Sequence, residues 1–257
     1  MSAAGRASPA RTALLRRLAE MVAAVRRSHP VRVAVDGPDA AGKTTLADEL
    51  ATALAARGRT VIRASVDGFH RPRAERYRRG ERSPEGYWLD SFDHQAIRAS
   101  LLDPLGPGGS RRYRTRTFDF RRDRPRAAPV GLAPEDATLV FDGVFLLRPE
   151  LDPAWDFRVF LDVPFSETLR RAVARDRELF GSAAAVRERY RRRYIPGQRL
   201  YDASVRPREH ADVVVDNRDP AAPKLVAVRP PRERSCSTGS ATGHARHDGN
   251  RGKHHGW

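Results

Sequence analysis

The segment 37–44 constrains this chain more than any other part of its sequence. It reads Gly-Pro-Asp-Ala-Ala-Gly-Lys-Thr, which is the GxxxxGK[ST] pattern of a phosphate-binding loop, or P-loop. An almost wholly apolar run, 31–35, precedes it and is typical of a buried parallel strand. Leu46, Leu50 and Leu54 follow at helical spacing. A strand, a glycine-rich turn and a helix in this order predict an α/β fold that binds phosphate groups.

The residue types of the loop point to a nucleoside triphosphate with Mg²⁺. The glycines allow the turn, so that backbone N–H groups can point at phosphate oxygens. Lys43 can reach the β- and γ-phosphates, and the Thr44 hydroxyl can bind Mg²⁺. We therefore predict that ATP is bound by eight residues, Gly37, Asp39, Ala40, Ala41, Gly42, Lys43, Thr44 and Thr45.

Further apolar runs alternate with helical patterns along the chain. Strands are predicted at 60–64, 138–141, 157–163 and 212–215, and helices at 12–27, 93–102 and 166–180. This alternation predicts the three-layer α/β sandwich of P-loop NTPases, with a parallel sheet covered by helices on both faces. Acceptor-binding and lid insertions are expected in addition to the sheet, mainly between residues 71 and 126.

Three regions are expected along the chain. An N-terminal amphipathic helix lies within 1–30, a P-loop domain covers 31–228, and a basic tail covers 229–257. The tail is rich in Gly, Ser, His and Arg and has no apolar periodicity, so we expect it to be disordered.

Composition limits the classes of function. The single cysteine, Cys236, excludes an internal disulfide and a cysteine-based zinc site and is typical of a reducing compartment. The sequence has no run near the roughly 18 apolar residues of a membrane span, so we expect a cytoplasmic protein with no membrane partner. The net charge of +16 favours polyanions, either phosphorylated small molecules or nucleic acid.

Two acidic residues follow predicted strands. Asp142 ends the apolar run 138–141, where a carboxylate after a P-loop belongs near the metal ion. Asp67 follows the strand predicted at 60–64, and parallel strands bring their carboxyl ends to the same sheet edge as the P-loop. Asp67 could accept a proton from an attacking hydroxyl or help to hold Mg²⁺. An ordinary turn is the alternative for both residues.

The motifs together resemble one group of enzymes. The P-loop, Ser-Val-Asp-Gly-Phe-His at 65–70, Ser-Phe-Asp-His at 91–94, Phe-Asp-Phe at 118–120 and Phe-Asp-Gly-Val-Phe at 141–145 occur in the order seen in small-molecule kinases. Over about 31–217 the chain is similar to the uridine kinase and phosphoribulokinase family, of which pantothenate kinase is a relative.

The resemblance implies a role for particular positions. Asp67 matches the catalytic base, and Asp142 matches the strand-end acid near the metal. Asp93 matches the aspartate that binds sugar hydroxyls of the acceptor. Arg171 and Arg175 lie on the helix that resembles the mobile lid, whose arginines screen the transferring phosphoryl group. Their i, i+4 spacing puts both on one helix face, although a solvated face explains this spacing equally well.

Phe118 and Asp123 are the remaining substrate-binding candidates. Uridine kinases have a tyrosine and a base-reading histidine at these two positions. The phenyl ring and the carboxylate here cannot make the same hydrogen bonds, and such bonds select a substrate strongly. The sequence therefore predicts phosphoryl transfer without naming the acceptor.

The predicted activity is an ATP-dependent kinase that phosphorylates a hydroxyl of a small metabolite, with a nucleoside as the first candidate. Sugar-phosphate and pantothenate-type kinases are the alternatives within the enzymes. The alternative outside the enzymes is a P-loop ATP-binding module that acts with nucleic acid. Arginine clusters at 111–126 and 187–199, interspersed with tyrosines, are compatible with it. A lid that binds phosphorylated ligands needs the same charge, so nucleic acid is the weaker alternative. The sequence leaves open whether the protein forms an oligomer.

Overall fold

A central sheet organises the part of the chain that the structure, a computed structural model, describes, residues 7–229. Six strands within these residues form this sheet, and four short strands form two separate two-stranded ladders. The strands in chain order are β1 Val31–Asp36, β2 Val61–Ser65, β3 Arg112–Tyr113, β4 Phe118–Asp119, β5 Arg124–Pro125, β6 Gly131–Leu132, β7 Thr138–Asp142, β8 Phe157–Asp162, β9 Val213–Asp216 and β10 Lys224–Val228.

The strand order across the sheet is β10-β9-β8-β1-β7-β2. Strands β9, β8, β1, β7 and β2 run parallel, which confirms the α/β prediction. The sequence analysis did not predict the edge strand β10, which pairs antiparallel with β9. Four of its five residues are exposed, Leu225, Val226 and Val228 among them, so β10 lacks the continuous burial that marks a central strand.

Helices cover both faces of the sheet. They are α1 Pro9–Ala24, α2 Lys43–Ala55, α3 Arg73–Arg76, α4 Pro84–Asp90, α5 His94–Ile97, α6 Phe165–Arg175, α7 Arg177–Phe180, α8 Ala183–Arg189, α9 Ile195–Val205 and α10 Pro207–His210. Two 3-10 turns, Val66–Phe69 and Asp152–Ala154, and two π-helical turns, Arg98–Leu102 and Tyr190–Tyr194, complete the regular structure of the described residues.

Alternating side chains of β1 fill two separate cores. Val33 and Val35 pack with α1 and α2 on one face, whereas Ala34 faces a second core that contains Phe141 and Trp155. No helix in residues 7–229 has both the length and the apolar character needed to span a bilayer.

Helix α1 begins three residues earlier than the predicted 12–27. The hydroxyl of Ser8 accepts a hydrogen bond from the backbone N–H of Arg11, and Pro9 occupies the first turn. A serine cap followed by proline is a strong helix start, which the apolar periodicity alone does not reveal. The predicted tail, 229–257, lies outside the described residues except for Arg229.

The helix predicted at 166–180 is interrupted. Asp176, with φ −101° and ψ 5°, separates α6 from α7. Its buried carboxylate accepts hydrogen bonds from Arg175 and from the hydroxyl of Tyr190. The hydrogen bond from Tyr190, 14 residues further along the chain, holds the side chain of Asp176 where α6 ends, and a one-dimensional periodicity cannot show such a contact.

Candidate active site

The P-loop connects the end of β1 to the start of α2. Gly37 has φ +147°, and a Cβ at this position would lie 2.7 Å from the carbonyl oxygen of Leu161. Only glycine allows the loop to pass this close to β8. Lys43, the first residue of α2, is buried, and its Nζ donates to the carbonyl of Pro38 at 2.7 Å. The loop therefore has the strand–turn–helix context that its sequence pattern predicts.

Thr44 and Asp142 meet at the carboxyl-terminal edge of the sheet. The Thr44 hydroxyl donates to a carboxylate oxygen of Asp142 at 2.6 Å, and Arg63 Nη2 donates to the other oxygen at 2.9 Å. Asp142 is 2% exposed, and β7 pairs with both β1 and β2, which fixes its position next to the P-loop. Arg63 was not among the predicted site residues, although an arginine inside a predicted strand was a signal.

These two side chains are a suitable oxygen donor set for Mg²⁺. A hydroxyl and one carboxylate are a common protein contribution to a Mg²⁺ site whose other ligands are water and phosphate. Within residues 7–229, no group of three or more His, Cys, Asp or Glu side chains forms a metal site of its own. The residues therefore fit a metal ion that is bound together with a nucleotide.

Asp67 lies in the 3-10 turn that follows β2. The side chain of Ser65 accepts a hydrogen bond from the Asp67 N–H at 3.4 Å and caps this turn. Desolvation by the surrounding protein, and then the negative charge of Asp142, raise the pKa of Asp67. A carboxylate with a raised pKa is a better acceptor for a proton near neutral pH.

A cavity of about 210 Å³ joins these groups. Seven of the predicted site residues line it, and aromatic side chains form much of the remaining wall. The predicted residues are Asp39, Ala40, Lys43, Thr44, Asp67, Asp142 and Arg175, and the aromatic ones are His70, Tyr87, Phe92, Phe120, Phe180, Tyr190 and Tyr194.

The aromatic wall contains a neutral imidazole. The ring centroid of His70 lies 4.6 Å from that of Phe92 and 4.9 Å from that of Phe120. Burial lowers the pKa of His70 to about 4, so the ring is uncharged at neutral pH. These three rings therefore offer flat, uncharged surfaces to a ligand in a cavity that also contains the charged groups of the P-loop.

Asp39 has partners that the sequence patterns do not predict. Tyr87 Oη donates to Asp39 Oδ2 at 2.7 Å, and Gln198 Nε2 donates to the same oxygen at 3.2 Å. Gln198 Oε1 accepts the Asp39 N–H at 2.7 Å. Gly197 permits these contacts, since a Cβ there would lie 2.8 Å from the carbonyl of Pro84.

The two predicted lid arginines have different surroundings. Arg175 lines the cavity, where its guanidinium is bound to Asp176 at 2.7 Å and donates to Tyr190 Oη at 3.3 Å. Arg171 is not part of the cavity lining and donates to the backbone carbonyls of Ala41 and Asn217. The structure therefore does not bring the two arginines together in the cavity.

The three predicted acceptor residues lie outside the lining of this cavity. Asp93 caps α5 by accepting the Ala96 N–H at 2.9 Å. Phe118 lines a neighbouring cavity that also touches Asp67. Asp123 accepts hydrogen bonds from the Arg73 N–H and from Arg76, both at 2.9 Å. Their roles toward a substrate stay predictions.

Comparisons with known proteins identify the family of this chain. A sequence model of the cytidylate kinase-like family matches residues 32–219. Uridine-cytidine kinase B of Dictyostelium discoideum is 29% identical over 203 residues, which cover 78% of this chain and 79% of that protein.

Solved structures share the fold. A possible uridine kinase from Bacillus stearothermophilus matches with a TM-score of 0.63 at 24% identity, covering 79% of this chain and 97% of that one. A candidate fructose transport system kinase from Silicibacter sp. TM1040 matches with a TM-score of 0.63 at 27% identity, covering 74% and 94%. D-glycerate 3-kinase from Cryptococcus neoformans matches with a TM-score of 0.54 at 14% identity, covering 84% and 98%.

The family match covers most of the chain and includes the P-loop, Asp67 and Asp142. The resemblance to uridine kinases is confirmed by the sequence relative. The P-loop α/β fold is confirmed by the solved structures. This chain is a P-loop phosphotransferase that belongs to the cytidylate kinase-like family.

Proposed function

We propose that this enzyme transfers the γ-phosphoryl group of ATP to a hydroxyl of a small metabolite, with a nucleoside as the first candidate. One observation carries the proposal: Lys43, the Thr44–Asp142 pair and the carboxylate of Asp67 line the same cavity. Phosphoryl transfer needs positive charge at the phosphates and a proton acceptor at the attacking hydroxyl, both within one site.

Each residue has a part in this reaction. Lys43 and the N–H groups of the P-loop bind the phosphates. Asp67 orients the acceptor hydroxyl and accepts its proton. Thr44 and Asp142 would hold Mg²⁺, which neutralises charge on the β- and γ-phosphates when it is bound. Arg175 adds a second cation to the cavity, besides Lys43. The aromatic wall excludes water, which limits the hydrolysis of ATP.

Relatives support more than one acceptor class. Uridine-cytidine kinase B favours a nucleoside, and the matching Silicibacter and Cryptococcus proteins are named as a candidate fructose transport system kinase and a D-glycerate 3-kinase. A sugar-phosphate or pantothenate-type acceptor remains the second candidate, which rests on the sequence motifs and not on these names.

The test is ADP formation from Mg-ATP with uridine, cytidine, fructose, D-glycerate, pantothenate and ribulose 5-phosphate, in the wild type and in Asp67→Asn. We expect one acceptor class to raise turnover in the wild type. Asp67→Asn should lose most of this stimulation, at least about 100-fold, and should keep ATP binding, because the amide cannot accept the proton.

Two results would contradict the proposal. The first is clear ATP binding without stimulation by any of these acceptors. The second is stimulation that Asp67→Asn leaves intact. A nucleic-acid module predicts tight oligonucleotide binding that falls steeply with salt and does not depend on Asp67.

A further inference from the structure

A second cavity, of about 440 Å³, adjoins the active-site cavity. Ser65, Asp67 and Phe120 line both cavities, whereas residues 37–45 of the P-loop do not line the second one. A ligand in the second cavity would therefore lie next to Asp67 and would leave the P-loop free for ATP.

Arginine side chains give the second cavity an excess of positive charge. Among the described residues, four arginines and two aspartates line it, namely Arg63, Arg116, Arg121, Arg126, Asp67 and Asp119. Arg63 is paired with Asp142 and Asp48, and Arg126 is paired with Asp119. Arg116 and Arg121 form no ion pair with any residue of 7–229. The arginines outweigh the carboxylates, so the cavity favours an anion.

Arg116 also has a buried polar atom without a partner. Within residues 7–229, nothing accepts a hydrogen bond from its buried Nε. A buried N–H group has lost its hydrogen bonds to water, so leaving it unpaired costs free energy. A ligand atom that accepts from this group would remove that cost.

The backbone around Arg116 is fixed before any ligand binds. The Ala128 N–H donates to the carbonyl of Arg116 at 2.9 Å, and the Thr117 N–H donates to the carbonyl of Gly68 at 2.9 Å. Gly68 allows this close packing, since a Cβ there would lie 3.1 Å from the Cβ of Arg116. The segment is thereby attached to the turn that contains Asp67, so less conformational entropy is lost when a ligand binds.

We propose that the second cavity binds the phosphate group of a phosphomonoester, at a site separate from the P-loop. The two arginines without a paired anion, Arg116 and Arg121, match the nearly two negative charges of a phosphomonoester at neutral pH. Guanidinium groups also bind phosphate through paired N–H donors. Phe118 and Phe120 offer apolar contacts to the organic part of the ligand. A carboxylate ligand brings only one charge and should bind more weakly.

The phosphate group can belong to the acceptor itself or to a separate effector, and both use the same contacts with Arg116 and Arg121. Binding can be measured without turnover, so the proposal does not depend on the proposed function.

The test is a calorimetric titration with inorganic phosphate as the probe. The protein is first saturated with Mg²⁺ and a non-hydrolysable ATP analogue, so that the P-loop is occupied. We expect phosphate to bind at one further site, and acetate, at equal ionic strength, to bind at least about 10-fold more weakly. If phosphate does not bind to the loaded wild type, the proposal is wrong.

Two variants assign the binding to this cavity. Arg116→Gln and Arg121→Gln should each raise the Kd for phosphate by about 10-fold or more, because each removes a charge-assisted hydrogen bond. Arg121 is exposed, so its substitution should leave the fold intact, and binding of the ATP analogue verifies that each variant is folded. Arg124→Gln is the matched control, since this arginine of the same hairpin is exposed and does not line the cavity. An equal change in all three variants, or no change in any, would refute the site.

Ribulose 5-phosphate then distinguishes the two sources. If the phosphate belongs to the acceptor, this compound stimulates ADP formation, and Arg121→Gln raises its KM with little change in kcat. If it belongs to an effector, ribulose 5-phosphate displaces inorganic phosphate without being phosphorylated. Both results support the site, whereas failure to displace phosphate would contradict a site for phosphomonoesters. Failure of every acceptor to raise turnover would refute the proposed function and leave the binding of phosphate unchanged.

Discussion

The carboxyl-terminal edge of the sheet and the helical arm of α6, α7 and α8 both bring charged side chains to the cavity, but by different means. At the sheet edge, Asp142 is 2% exposed and is held by Thr44 and Arg63 on neighbouring elements. In the arm, the side chain of Arg175 is 59% exposed and is paired with Asp176, the next residue.

This difference shows which charges are placed by the sheet and which are placed by side chains. Backbone pairing of β1, β7 and β2 determines where Asp142 lies, so the carboxylate is preorganised for the reaction. Arg175 is held by the side chains of Asp176 and Tyr190, within and next to the arm, and not by strand pairing. Substitutions at the sheet edge should therefore lower activity or stability more than substitutions in the arm.

The largest effect is expected for Asp142→Asn. Loss of the carboxylate removes a fixed charge next to Thr44, and we expect kcat to fall by about 1000-fold or more. The measurement is ADP formation as a function of Mg²⁺ concentration. Asp48→Asn is the control, because this exposed carboxylate also pairs with Arg63, at 2.8 Å, but lies outside the cavity. A similar loss in both variants would contradict the special role of the sheet edge.

Gly37→Ala tests the rigidity of the same edge. The new Cβ would clash with the carbonyl of Leu161 and has an unfavourable φ, so we expect the free energy of unfolding to fall by about 2–4 kcal/mol. Gly58→Ala is the control, since φ is also positive there but a new Cβ would meet no atom within 4 Å. Gly58→Ala should lower the free energy of unfolding, measured by chemical denaturation, by only about 1 kcal/mol. Equal losses would show that the close approach to β8 is unimportant.

Asp36, at the end of β1, makes the free energy of unfolding depend on pH. Burial raises its pKa to about 6, although Tyr201, Gly37 and Leu147 donate hydrogen bonds to its carboxylate. Between about pH 4 and 6 the folded protein holds a proton that the unfolded chain releases, so the wild type loses stability as the pH rises.

Asp36→Asn removes this contribution. Denaturation should be measured at several pH values. As the pH rises, the free energy of unfolding of the wild type should fall relative to that of the variant, by about 3 kcal/mol once the pH is above 6. Parallel pH profiles of the two proteins would refute the prediction.

The smallest effect is expected in the arm. Arg175→Ala should lower kcat by about 10-fold, because it removes one of two cations from the cavity while the edge remains intact. Arg170→Ala is the control, since Arg170 is exposed on the same helix and pairs with Glu167 at 2.7 Å. If Arg170→Ala lowers kcat as much as Arg175→Ala does, the arm acts through its overall charge rather than through one residue.

The regular elements near the P-loop could be predicted because their signals are local. An apolar run, a glycine pattern and helical spacing correctly indicated β1, the P-loop and α2. The strands β2, β7, β8 and β9 were predicted within one residue of their ends. The edge strand β10 was missed because its exposed side chains do not form a buried apolar run.

The candidate site divides in the same way. The proximity of Thr44, Asp67 and Asp142 follows from the rule that parallel strands end at one edge, so it could be expected before the structure. The break at Asp176 and the separation of Arg171 from Arg175 could not be expected from the sequence, because both depend on hydrogen-bond partners in other elements.

The chain's residues already specify a P-loop, an acidic residue at each of two strand ends and hence phosphate chemistry, because each signal lies within a few consecutive positions. The surroundings of Asp39 depend on Tyr87, 48 positions away, and on Gln198, 159 positions away. Contacts over such separations exist only after α4 and α9 pack beside the loop. For this reason, the phosphate chemistry can be predicted from the sequence. The cavity wall on the acceptor side forms only when helices that are distant in sequence pack together.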